Sequence, residues 1–173
     1  GAIFTAQGGW ELPSHFTSVE AEYCAAKEAV ALADRSYMGR MRLTGRDVLD
    51  LLNRLSTNKV DTLSPGQGRL TAFLDERGRI LDITLLIPLQ GESLLFTSPQ
   101  TRADVKAWIE KFTIVEDVTT VDVTPQTAQL SLLGPTAEAL LGSLGAVGIG
   151  AIPLHRATRA AIGDVEVLVV RTG

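Results

Sequence analysis

The sequence predicts an α+β fold built on a largely antiparallel sheet with packed helices, and three observations predict it. Two apolar strand-like runs, Arg69–Leu74 and Ile83–Ile87, flank a Glu76-Arg77-Gly78 turn in which Gly78 is free to take positive φ, the pattern of a hairpin. Helical and strand-like segments are mixed without strict strand–helix alternation, which disfavours a parallel α/β sheet. The 173 residues are 45% hydrophobic and 21% charged, an ordinary globular composition, and a chain of this length buries about 70% of its unfolded surface.

The elements follow in order. The first 16 residues show no clear periodicity. Thr17 and Glu20 have capping-box spacing ahead of a helix over 19–34, with Val19, Tyr23, Ala26, Val30 and Ala33 on one face. Arg40–Thr44 alternates polar and apolar residues, as a half-exposed strand does, and Gly45–Ser56 reads as a helix with Val48, Leu51, Leu52 and Leu55 on its apolar stripe. Leu63–Gly68 is a turn cluster, the hairpin follows, and Ser93–Thr97 adds a third strand. Ser98 is placed to cap a further helix with Pro99 in its first turn and Val105, Trp108, Ile109 and Phe112 inward. Val118–Val123 and Gln129–Leu133 read as strands, Gly134 to Leu144 as a helix, and the stretches near Ala151–Ala157 and Val165–Val170 as the last strands. Two interleaved lobes are expected, approximately 1–45 with 126–173, and 46–125.

Charge and special residues narrow the function classes. A net charge of −4 provides no basic face for nucleic acid, although a local site for a small anion needs none. Cys24 is the only cysteine and the two histidines, His15 and His155, are far apart, so neither an internal disulfide nor a metal-ligand cluster is expected, and a cytoplasmic setting fits best. There is no run of about 20 apolar residues to span a membrane. Val165–Val170 is followed only by Arg171-Thr172-Gly173, and the chain is expected to be part of a longer protein.

Asp82 is the first candidate for a functional group. It sits among Ile80, Leu81, Ile83, Leu85 and Leu86, and a carboxylate in such surroundings must find a partner, shift its pKa or face a cavity. A purely structural reading has it cap a strand end or pair with Arg77 or Arg79. Gly134-Pro135-Thr136 at a helix start reads as ordinary helix initiation rather than a phosphate site, Trp10 and Trp108 as core or lobe-contact residues, and Arg69, Arg77 and Arg79 as solvated charges.

An ordered set of segments carries a resemblance. It runs Ala31-Leu32-Ala33-Asp34-Arg35-Ser36, Arg42-Leu43-Thr44-Gly45-Arg46-Asp47, Leu55-Ser56-Thr57-Asn58-Lys59-Val60, Gly66-Gln67-Gly68, Asp75 to Asp82, Leu130 to Pro135, and Arg171-Thr172-Gly173. The chain after residue 16 resembles the N-terminal folate-binding region of the glycine cleavage T-protein family, the aminomethyltransferases, and their folate-binding relatives in iron–sulfur enzyme maintenance. The resemblance implies a T-protein-like folate-binding fold, incomplete here, with tetrahydrofolate as ligand and a lipoyl carrier protein as partner. It implies that Asp82 is the catalytic aspartate acting on folate N10, with Ile83 where the family carries a second aspartate. It implies that Met38, Leu70, Thr97 and Ser98 line the folate site. Leu70 takes the place of a folate-contacting aromatic residue, Thr97 that of a pterin-binding asparagine, and Asn58 matches a recurrent asparagine read here as closing a helix. The leading expectation is a tetrahydrofolate-dependent aminomethyl transferase. The alternatives are a folate-binding maintenance protein without aminomethyl transfer, a non-catalytic α+β interaction module, and the folate domain of a larger amine oxidase.

Overall fold

The computed structural model describes residues 1–7, 9–146 and 148–173. The chain is α+β, every registered strand pairing is antiparallel, and two compact units are formed.

The first unit comprises Gly1–Tyr37, Ala128–Ile152 and Thr158–Val169. It opens with a hairpin, β1 (Ile3–Gln7) and β2 (Trp10–His15), where no periodicity was legible. Trp10, expected as a core or lobe-contact residue, is 41% exposed and lies outside the core of this unit. Helix α1 (Val19–Glu28) stops six residues before the predicted end, and Ala31–Asp34 instead forms β3. The cap is also shifted by one residue. Ser18 Oγ accepts the Ala21 amide at 3.2 Å, and Glu22 Oε1 accepts the amides of Phe16 and Thr17 at 2.6 and 3.1 Å. These amides, that of Phe16 above all, hold the Glu22 carboxyl below its usual value. No residue of α1 is buried, and its expected inward Val19 and Tyr23 are exposed. β3 pairs with β9 (Leu130–Leu133), and helix α4 (Ala137–Ser143) follows. Gly134, at φ 128°, sits where a Cβ would meet the Ala29 carbonyl at 2.4 Å, which explains a glycine at this turn. The predicted strand at 151–157 is a 3₁₀ turn and a loop, and the strand β10 covers Ala157–Ile162, paired with β11 (Val165–Val170). Ala146, Ile149 and Ile152 form a small core with Leu141, Ala160, Ile162 and Val169.

The second unit comprises Met38–Thr127, Pro153–Ala157 and Val170–Gly173. Its five-stranded sheet has the order β5-β6-β7-β4-β8, formed by β4 (Gly39–Thr44), β5 (Arg69–Leu74), β6 (Ile80–Pro88), β7 (Ser93–Thr97) and β8 (Thr119–Asp122). The segment 39–44, grouped with the first lobe on sequence grounds, is therefore an inner strand of this sheet, and Arg42 alone along it is exposed. Helices α2 (Val48–Leu55) and α3 (Arg102–Phe112) cover one face. Their Val48, Leu51, Leu52, Val105 and Ile109 interlock with Met41, Leu43, Phe73, Leu86 and Leu95 in the main core, with Leu55, Trp108 and Phe112 packed at its edge. α3 begins at Arg102 rather than at Pro99, because Ser98 is engaged elsewhere. Two segments return from far along the chain. The Gly68 amide donates to the His155 carbonyl and the His155 amide to the Arg171 carbonyl, each at 2.7 Å. His155 adopts φ 59°, and a Cβ on Gly68 would lie 2.3 Å from the His155 oxygen.

Candidate functional site

The site assembles at one end of the five-stranded sheet, where β6, β7 and the start of α3 meet. Strand alternation puts Asp82 on the helix-covered face, and the residue is 7% exposed. Its carboxylate collects four hydrogen bonds. Oδ1 accepts the Ile83 amide and the Ser98 hydroxyl, both at 2.8 Å; Oδ2 accepts the Ser98 amide at 2.8 Å and the Thr101 hydroxyl at 2.7 Å. A carboxylate offers about four lone-pair directions, so this set fills both oxygens. Neither Arg77 nor Arg79 is a partner. Arg79 pairs with Asp75 at 2.6 Å, and Asp75 also accepts the Arg77 and Arg79 amides. The Arg79 amide, then its side chain, hold the Asp75 carboxyl below its usual value. Chemically, the Asp82 arrangement is a bracket. One ionised group ties the end of β7 and the first turn of α3 to β6.

Thr97 lies on the same sheet face and is 1% exposed, and its hydroxyl has no hydrogen-bond partner. Gly39 stands opposite it in the β4–β7 ladder. A Cβ at position 39 would come within 2.0 Å of Thr97 Oγ1 and 3.1 Å of the Arg102 side chain, so the absent side chain is what lets the two strands carry a threonine here. Met38 is half-buried and immediately precedes this glycine.

Arg40, read from sequence as part of a half-exposed strand, is buried and holds Met38 in place. One guanidinium nitrogen donates to the Met38 carbonyl at 2.8 Å, another to the carbonyls of Thr124 and Thr127 at 2.9 Å each, and Nε to the Thr127 hydroxyl at 2.7 Å. Nearby, Asp122 pairs with Arg102 at 3.1 Å. Burial works to raise the Asp122 carboxyl, but the hydroxyl and amide of Thr124 with Arg102 and Arg40 outweigh it and hold it below its usual value.

The structure thus brings together four of the five expected site residues, Met38, Asp82, Thr97 and Ser98, around the β6–β7–α3 corner. It does not bring Leu70 to them. Leu70, 42% exposed, belongs to the opposite face of the sheet with Ile83, 60% exposed, since their ladder partners are Leu85 and Ala72. Asn58 does not close a helix. Its side-chain amide donates to the Leu70 carbonyl at 2.7 Å and ties the loop to β5. Thr101 and Arg40 were not singled out from sequence. The signal available for Thr101 was a second hydroxyl three residues after Ser98 at a helix start. Among the described residues there is no cluster of His, Cys, Asp and Glu placed to hold a metal, and no helix is long and apolar enough to cross a membrane.

Comparison with known proteins adds three findings. Residues 1–173 match the family model described as the GCVT N-terminal domain. The chain is 36% identical over 168 residues to the aminomethyltransferase of Halalkalibacterium halodurans and 37% over 170 residues to that of Geobacillus kaustophilus; each match covers 96% of this chain and 46% of the relative. The fold resembles the crystal structure of glycine cleavage system aminomethyltransferase T from Bartonella henselae, with a TM-score of 0.84 and 24% identity, covering 93% of this chain and 44% of that one. The chain therefore spans about half the length of the relatives it matches.

Proposed function

The chain belongs to the GCVT N-terminal domain family, and from that membership we propose that it supplies the N-terminal part of a tetrahydrofolate-dependent aminomethyltransferase of the glycine cleavage type. The observation that carries the reading is identity of 36% and 37% to aminomethyltransferases over nearly the whole chain. In this reading Thr97 and Ser98 offer hydroxyls to the pteridine and Met38 offers apolar surface, while Leu70, on the opposite face of the sheet, takes no part. The unpartnered, buried Thr97 hydroxyl supports the fit, because it is hydrogen-bonding capacity that the protein itself leaves unspent. Tetrahydrofolate, when bound, supplies the nitrogens that accept the one-carbon unit, and a lipoyl carrier protein is the partner that would deliver it.

Asp82 enters the proposal as a positioning residue. The resemblance implies direct action on N10, but four protein donors occupy the carboxylate here, so its part is to fix Ser98 and the first turn of α3. Calorimetric titration of tetrahydrofolate into the chain tests the reading. Saturable binding weakened by Thr97→Val or Ser98→Ala supports it. Absence of binding to the folded wild-type chain overturns it.

A further inference from the structure

The Thr97 hydroxyl is hydrogen-bonding capacity left unspent, yet the residue is buried, so a ligand atom reaches it only if a neighbour moves. The backbone does not supply that motion. Thr97 ends β7 and Gly39 begins β4, and both strands are interior to the five-stranded sheet. The movable neighbour is a side chain. A Cβ built on Gly39 would meet Thr97 Oγ1 at 2.0 Å and Arg102 Cγ and Cβ at 3.1 and 3.2 Å, so the stem of Arg102 lies against the glycine beside the hydroxyl. Long basic side chains cover buried ground in this way while the charged head stays in water.

The head of Arg102 has one tether. Its Nε lies 3.1 Å from Asp122 Oδ2, and Asp122 is its only ionic partner among the described residues. Asp122 is itself fixed, since Oδ1 accepts the Thr124 amide at 2.9 Å. The pair therefore joins a movable arginine to an anchored carboxylate. An ion pair at a part-exposed position holds weakly, and a side chain there changes rotamer fast, so the stem can lift while the sheet stays as it is. We propose that Arg102 is the gate residue of the Thr97 site. Held closed by Asp122, it seals the hydroxyl from solvent; swung out, it admits a polar atom of the ligand. That the ligand is tetrahydrofolate rests on the function proposed above. The gate rests on the geometry of Gly39, Thr97, Arg102 and Asp122, so the two readings can fail separately.

The test reads access to position 97 with no folate present. Cys24→Ser in the 173-residue chain removes the only native thiol, and Thr97→Cys places a reporter at the gated position. Methyl methanethiosulfonate, a small uncharged thiol reagent, modifies it, and mass spectrometry gives the rate. Modification should be slow in this parent and about tenfold faster or more with Arg102→Ala, because local opening sets the rate. Asp122→Asn keeps the stem and removes the charge that tethers it, and should accelerate the reaction severalfold. Arg102→Lys, which keeps a charged stem, should stay close to the parent rate. Thr84→Cys, at a fully buried position on the same face of the sheet, is the control and should not respond to Arg102. Circular dichroism checks the fold, and Asp122→Asn decides alone if Arg102→Ala does not fold. Three outcomes overturn the proposal: fast modification in the parent, a rate indifferent to Arg102→Ala and Asp122→Asn, or an acceleration at position 84 that matches the one at position 97.

Discussion

Asp82 stands directly across the β5–β6 ladder from Phe73, so a carboxylate and a fully buried aromatic ring share the helix-covered face of one sheet. The pairing is tolerable only because Ser98 and Thr101 bring donors to the charge. Without them the carboxylate would face apolar neighbours in a region of low dielectric.

Thr101→Val removes one of those donors while keeping the side-chain shape. It should cost about 1–3 kcal/mol of stability, since a charged acceptor loses a partner. Thr101→Ser should restore most of it. Urea denaturation of the three proteins measures the difference, and equal midpoints for threonine and valine would show that the hydroxyl carries no load.

Gly39→Ala should destabilise by about 1–3 kcal/mol, because the new methyl meets Thr97 Oγ1 in a packed layer. Thr97→Ala removes the obstructing oxygen. In the double variant the cost of Gly39→Ala should therefore shrink, giving a favourable coupling in a double-mutant cycle. Strict additivity would contradict the contact.

Arg40→Leu leaves the carbonyls of Met38, Thr124 and Thr127 without their shared donor in a buried place. A loss of about 2–4 kcal/mol is expected, more than one ordinary hydrogen bond. If tetrahydrofolate uses Met38, the same variant should also bind it more weakly. Calorimetry on a fraction verified as folded separates the two effects.

Glu116 gives the pH dependence. A hydrogen bond from Arg54, then the amides of Ile114 and Val115, lower its carboxyl from 4.5 to about 2. A depressed folded-state pKa contributes stability that is present above the unfolded value and is lost as pH falls through the folded one. Wild type should therefore exceed Glu116→Gln in stability near neutrality, and the gap should close between about pH 4.5 and pH 2. Denaturation midpoints across that range check it. A gap constant down to pH 2 would contradict the linkage.

The hairpin of β5 and β6 was legible in the sequence because its signals are local: two apolar runs and a glycine, Gly78, that takes φ 75°. The stripe of α2 was legible for the same reason. The end of α1 was not. An alanine-rich run carries high helix propensity up to Asp34, but pairing with β9, a hundred residues away, claims Ala31–Asp34 for a strand. The first hairpin is not legible because its apolar residues Ile3, Phe4 and Trp10 are exposed and its strands show no alternation to read. At the site, an isolated carboxylate in an apolar run was enough to single out Asp82. Its saturation was not visible, because the donors come from Ser98 and Thr101, residues 16 and 19 positions on.

The tie from Gly68 through His155 to Arg171 also bears on the order of events at the ribosome. The sheet of the second unit can close once Asp122 has emerged, but its edge segments, Pro153–Ala157 and Val170–Gly173, are made some thirty to fifty residues later. Contacts that span such separations form late, since a long loop must be closed before they repay it. During synthesis the Gly68 amide therefore stays in water until His155 has been made, while the amides of Gly66 and Gln67 already have the Pro88 and Ser64 carbonyls as partners.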